Sequence, residues 1–109
     1  MKSDALVIIP TYNEKENIEA IIRATFNQDK EFDVLVVDDN SPDGTATIVE
    51  KLQKEFPNQL FIEKRVGKNG LGTAYIHGFR WAIENNYEYI IEMDADFSHN
   101  PNDLIKLYT

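Results

Sequence analysis

No cysteine occurs among the 109 residues, which excludes a disulfide framework, a thiolate metal site and a thiol nucleophile, and fits a reducing compartment. No apolar run approaches the roughly 20 residues that span a bilayer. The N-terminus lacks the basic region, long apolar segment and small-residue cleavage site of a signal peptide, so the chain as given reads as soluble. Positive charge is also scarce, and the formal net charge is -8. That balance argues against a broad electrostatic footprint for nucleic acid or for an anionic membrane surface. A phosphate ligand must then be welcomed locally, by a bound cation, by helix N-termini, or by the small basic cluster Lys64-Arg65 with Lys68.

What is present is ordinary for one modest globular core: 42% hydrophobic and 28% charged residues. Leu6-Val7-Ile8-Ile9 has the continuous apolar, β-branched pattern of a strand buried on both faces, and Pro10 is expected to stop it. Asn13 with Glu16 resembles a capping box, and Ile18, Ile21, Ile22, Thr25 and Phe26 follow at helical spacing, which predicts a helix from about Glu14 to Asn27. Val34 to Val37 is a second buried strand, closed by the turn-rich Asp38-Asp39-Asn40-Ser41-Pro42-Asp43-Gly44. A helix resumes near Thr45, Leu60 to Glu63 reads as a third strand, and a third helical face runs from Ala74 to Ile83. Tyr89 to Met93 reads as a fourth strand, and Pro101, capped by Asn100, as the start of a fourth helix.

The order β-α-β-α-β-α-β-α predicts the α/β class, a mostly parallel sheet flanked by helices through right-handed crossovers. The polar clusters Pro10 to Glu14, Asp38 to Gly44, Arg65 to Gly72 and Asp94 to His99 all follow strands. In an open α/β sheet the carboxyl ends of the strands form one edge, where ligands bind, so four loops are expected to converge on one site.

The first strand-helix turn is not a G-x-G-x-x-G, which disfavours a dinucleotide oxidoreductase, and Gly67 to Thr73 lacks the order of a P-loop. That segment reads as a basic turn opening a helix, with a plain glycine turn as the alternative. Asp38 and Asp39 read either as turn and cap residues or as acceptors for ribose hydroxyls or a base N–H. Pro10 and Tyr12 offer flat apolar surface beside such a base, whereas His77 and Trp81 read as packing or surface positions. In Asp94-Ala95-Asp96 the alternation of a strand puts both carboxylates on one side. Spacing alone leaves two readings, a solvated turn or a site for Mg²⁺ held with substrate phosphate.

With these loops in hand, the chain resembles the inverting glycosyltransferases of family 2 with a GT-A fold, and most closely the dolichyl-phosphate or polyprenyl-phosphate mannosyltransferases. The resemblance rests on Ile9 to Glu14, Val37 to Thr45, Gly70 to Phe79 and Met93 to His99, and is most specific in N-S-P-D-G-T and G-L-G-T-A-Y-I-H-G. It implies transfer of mannose from GDP-mannose to a polyprenyl phosphate. Pro10, Tyr12, Glu14 and Asp39 would hold the base and ribose, and Asp38, Arg65, Lys68 and Gly72 are further candidates for the nucleotide sugar. Asp94 and Asp96 would form a D-x-D that binds Mg²⁺ or Mn²⁺ against the diphosphate. Ser98 stands where some relatives have a longer Gln.

The apolar residues Leu104, Ile105 and Tyr108 in the last turns lead us to expect the N-terminal part of a larger GT-A domain, covering residues 1–109, that does not transfer sugar alone. The acceptor-binding parts would lie beyond Thr109, and an uncovered sheet edge would favour self-association. The expected location is cytoplasmic, with peripheral membrane contact in the full protein. Three alternatives stand beside this one: a family 2 transferase with another donor or lipid, a non-catalytic nucleotide-binding module, and a receiver-like domain. The last is disfavoured because its acidic cluster would follow the first and third strands.

Overall fold

The computed structural model describes residues 3–28, 31–65 and 71–93. Within them the chain runs β1 (Ala5–Thr11), α1 (Ile18–Phe26), β2 (Asp33–Asp38), α2 (Thr45–Leu52), β3 (Leu60–Lys64), α3 (Leu71–Glu84) and β4 (Tyr89–Glu92). The expected fourth helix lies outside the described residues.

The four strands form one parallel sheet in the order β3-β2-β1-β4. The two inner strands are the two continuous apolar runs, and every residue of β1 and β2 is buried. The outer strands are more polar and partly exposed, as befits edges. Strand alternation sends Val7, Ile9, Val34 and Val36 to one face, under Ile18, Ile21 and Ile22 of α1 and Val49 and Leu52 of α2. Leu6, Ile8, Leu35 and Val37 go to the other face, under Ala74, Phe79, Trp81 and Ala82 of α3. Burying each large aliphatic side chain contributes roughly 1.5–3 kcal/mol, so these two cores fix the three-layer arrangement.

After β3 the chain crosses back over the opposite face of the sheet and enters β4 on the far side of β1. The direction of strand order reverses between β1 and β4. The carboxyl ends of those two strands are therefore the topological switch point, the usual place for a ligand in an open α/β sheet.

Two sequence expectations are corrected. Pro10 does not end β1, which continues to Thr11 with Pro10 opposite Val37. The Ile8 carbonyl accepts from Met93 and the Thr11 carbonyl from Asp39, so the even positions of β1 face β4. The N–H that Pro10 lacks would point past Glu92, the last β4 residue in the ladder, so no bond to β2 is lost. Helix α1 begins at Ile18 rather than near Glu14, and Asn13 is not its cap. Asn13 has a left-handed backbone (φ 57°), and Glu14 to Asn17 form a turn in which the Asn17 and Ile18 amides donate to the Glu14 carbonyl.

Gly78 explains how α3 sits on β1. A Cβ at this position would stand 2.7 Å from Ile8 Cγ2, so the helix approaches the central strand as closely as only glycine permits. At the opposite end of the sheet from the switch point, Tyr87 donates from its hydroxyl to Asp33 Oδ2 at 2.6 Å, and the Ser3 amide donates to the same oxygen. Burial first, and then the bond to Asp33, push the Tyr87 phenol above its ordinary value of 10.0, so it stays a proton donor.

Candidate functional site

The loops after β1 and β2 are joined along their length. Three consecutive amides of the first loop donate to three side chains of the second: Asn13 N–H to Ser41 Oγ at 2.9 Å, Glu14 N–H to Thr45 Oγ1 at 3.0 Å, and Lys15 N–H to Asp43 Oδ2 at 3.2 Å. Asp43 also accepts from the Thr45 amide and hydroxyl through Oδ1, so one carboxylate from just before the cap residue Gly44 satisfies the first amide of α2 and holds the neighbouring loop. Partial burial pulls the Asp43 carboxyl upward. The bonds from Thr45 and Lys15, with the Lys15 charge, outweigh that and hold it below its ordinary value. The turn is made by Asn40 at φ 59° and Gly44 at φ 93°, residue types that tolerate a left-handed backbone.

Asp38 and Asp39, adjacent in sequence, have separate surroundings. Asp38 is buried at the end of β2, where Thr11 and Ser41 donate from their hydroxyls to Oδ1 at 2.7 and 2.6 Å, and the Ser41 amide donates to Oδ2. It ties the ends of β1 and β2 to the turn. Asp39 receives Arg65 as a two-pronged pair, Nε on Oδ1 at 2.6 Å and Nη2 on Oδ2 at 2.8 Å. Both side chains are largely shielded, at 7% and 11% exposure, so the pair is far less screened than a surface one. Arg65 Nη1 reaches Thr73 Oγ1 at 3.2 Å in the first turn of α3, and the Arg65 amide donates to the Asp38 carbonyl.

Six expected site residues are thus placed at one edge. Pro10 is buried in β1, Tyr12 follows it with 37% of its surface exposed, and Glu14 is half-buried. Asp38 and Asp39 are buried at the end of β2, and Arg65 follows β3 and pairs with Asp39. Gly72 is exposed in the first turn of α3, with no atom of the described residues within 4 Å of where a Cβ would be. Its backbone carries no left-handed strain, so the fold itself does not demand glycine there. His77 and Trp81 are packing and surface positions as expected: Trp81 packs in the α3 core beside Phe61 and Tyr87, and His77 Nε2 lies 3.1 Å from Glu63 Oε1.

Lys68, Asp94 and Asp96 lie outside the described residues. Met93, which precedes Asp94 in the sequence, is buried, and its amide donates to the Ile8 carbonyl at 3.0 Å. Two carboxylates offer the hard oxygen donors that suit Mg²⁺ or Mn²⁺. Among the described residues no group of three or more His, Asp or Glu could hold a metal ion, and no helix is long and apolar enough to cross a membrane.

Ser41, Asp43, Thr45 and Thr73 were not singled out from the sequence. The signal for the first three was available, since a run of short side-chain acceptors after a strand is what satisfies exposed loop amides.

This chain is similar to a polyprenol monophosphomannose synthase of Mycolicibacterium smegmatis, with 44% identity over 94% of this chain and 38% of that protein. An undecaprenyl-phosphate mannosyltransferase of Micrococcus luteus is 47% identical over 94% of this chain and 42% of its own length. The chain therefore spans about two fifths of the curated relatives it matches. Among solved structures, a mannosyltransferase of Pyrobaculum calidifontis in complex with GDP-Man and Mn²⁺ superposes with a TM-score of 0.82 at 28% identity. The match covers 96% of this chain and 31% of that one, and the shared architecture is the GT-A fold. The model of the family described as glycosyl transferase family 2 matches residues 6–109, and on the strength of that match this chain belongs to glycosyl transferase family 2.

Proposed function

We propose that the carboxyl edge of the sheet is the donor site of an inverting glycosyltransferase that passes mannose from GDP-mannose to a polyprenyl phosphate. This chain is then the part that binds the donor and its cation. The observation that carries the reading is the gathering of Tyr12, Glu14, Asp39, Arg65 and Thr73 at the ends of β1, β2 and β3 and the start of α3, beside the topological switch point. The likeness to a mannosyltransferase solved with GDP-Man and Mn²⁺, and to relatives named for polyprenyl-type phosphates, supports the same donor and acceptor.

In this reading Tyr12 offers its ring to the guanine. Asp39, held in place by Arg65, presents carboxylate oxygen toward the base and ribose, and Glu14 lies beside it. The open space over Gly72 admits the diphosphate end of the donor to the first turn of α3, whose helix dipole favours negative charge. Asp94 and Asp96 would hold Mg²⁺ or Mn²⁺, which supplies neutralisation of the charge that gathers on the departing diphosphate. An acceptor phosphate is already ionised and needs little help from a general base, so the chief tasks of the protein are alignment and charge balance.

Calorimetric titration of GDP-mannose into the 109-residue chain, with Mn²⁺ and then with chelator, tests the reading. Binding that weakens on chelation and in Asp96→Ala is expected. Equal affinity with and without metal counts against the D-x-D assignment, and UDP displacing GDP at equal concentration counts against guanine.

A further inference from the structure

The segment Asn40 to Thr45 does more than turn the chain. Resting on the donor-site reading above, we infer that Ser41, Asp43 and Thr45 are positioning residues that set the conformation of Tyr12 to Lys15 and so control nucleotide affinity without touching the nucleotide.

Three successive backbone N–H groups in a loop with one left-handed residue, Asn13, have the arrangement that elsewhere cradles an anion. Here all three are already occupied by Ser41 Oγ, Thr45 Oγ1 and Asp43 Oδ2. The first loop therefore binds through the side chains of Tyr12 and Glu14 rather than through these amides. The three acceptors are themselves held. Ser41 donates onward to buried Asp38, which also receives Thr11 at the end of β1, and Thr45, fully buried at the start of α2, donates to Asp43. The Asp39 amide donates to the Thr11 carbonyl, closing the circuit beside the pair with Arg65. Loosening any of the three acceptors frees Tyr12 and Glu14 relative to Asp39, and an ordered pair of contacts becomes one that binding must order.

The assay uses the ligand-free 109-residue chain for amide hydrogen exchange and the same chain for GDP titration in Mn²⁺. Thr45→Val is expected to speed exchange at the Glu14 amide and to weaken GDP about tenfold, which corresponds to about 1.4 kcal/mol. Thr45→Ser, which keeps the hydroxyl, is expected to restore both. Ser41→Ala removes the more exposed bond and is expected to speed exchange at Asn13 and weaken GDP about threefold, so the inference is tested even if Thr45→Val melts too low to titrate. Faster exchange with unchanged GDP affinity in Ser41→Ala and Thr45→Val overturns the positioning role. Absence of GDP binding by the unsubstituted chain overturns the donor-site reading, and the positioning role with it.

Discussion

Two glycines of α3 make opposite predictions. At Gly78 the added methyl of alanine meets Ile8 Cγ2 at 2.7 Å, Cδ1 at 3.0 Å and Cγ1 at 3.3 Å. Ile8 is fully buried on the central strand, and its β-branched side chain has few rotamers into which it can retreat. Overpacking of this kind costs about 1–3 kcal/mol, against a gain of about 0.5–1 kcal/mol from replacing helical glycine, a net loss between about 0 and 2.5 kcal/mol; the 2.7 Å contact puts Gly78→Ala in the upper part of that range, at about 1–2 kcal/mol. At Gly72 the alanine methyl meets nothing among the described residues within 4 Å, so Gly72→Ala should gain up to about 1 kcal/mol. For a domain of this size each kcal/mol moves the melting temperature by about 4–8 °C, so thermal unfolding followed by circular dichroism resolves the two. If the proposed donor site is right, the same Gly72→Ala chain binds GDP-mannose more weakly, because its methyl enters the space assigned there to the diphosphate. A Gly78→Ala chain as stable as the parent would show that Ile8 can yield to the methyl, and a Gly72→Ala chain that binds the donor unchanged would show that the diphosphate does not lie over Gly72.

Arg65→Ala leaves the shielded Asp39 carboxylate without its two-pronged partner and should cost about 3 kcal/mol in urea unfolding, with Arg65→Lys falling between it and the parent. An Arg65→Ala chain as stable as the parent would show that the pair is better solvated than its burial implies. Tyr87→Phe removes a donor from buried Asp33 and should cost about 1–3 kcal/mol. The folded phenol ionises above its ordinary value of 10.0, so its share of stability is intact below that pH and is lost as pH rises through and beyond it. Stability measured across that range should therefore fall less steeply in Tyr87→Phe, and equal slopes would refute the assignment. Asp43 has the opposite sign: its folded carboxyl lies below the ordinary 3.8, so its contribution is present above that value and lost as acid protonates it. Asp43→Asn should flatten the acid limb of the unfolding profile.

The fold was largely legible because its inner strands advertise themselves. Leu6 to Ile9 and Val34 to Val37 are short, β-branched runs apolar on both faces, the pattern that suits an interior parallel strand, and the helices show their buried stripes. The start of α1 was misread because the decisive partners are distant: the amides of Asn13, Glu14 and Lys15 are taken by residues 28 to 31 positions away, which local capping rules cannot see. Pro10 was misread for a related reason, since the cost of a missing N–H depends on which neighbour it faces. At the site, the residue types at strand ends were readable, but not their division of labour. Nothing local separates Asp38, which binds the loop together, from Asp39, which binds Arg65 from 26 positions away. Gly72 and Gly78 likewise look alike in a helical pattern, and only the packing of α3 on β1 distinguishes the glycine that the fold needs from the one it does not.

Donor binding at the carboxyl edge of the sheet is a matter of location as much as of affinity, and amide-resolved NMR of the ¹⁵N-labelled chain reads that location. With GDP and Mg²⁺, shifts are expected to concentrate at Tyr12, Glu14, Asp39, Arg65, Gly72 and Thr73. Replacing Mg²⁺ by paramagnetic Mn²⁺ should then broaden signals around Met93 to Asp96 first. Shifts confined to the outer faces of α1 and α2, or broadening that leaves Met93 to Asp96 sharp, would contradict it.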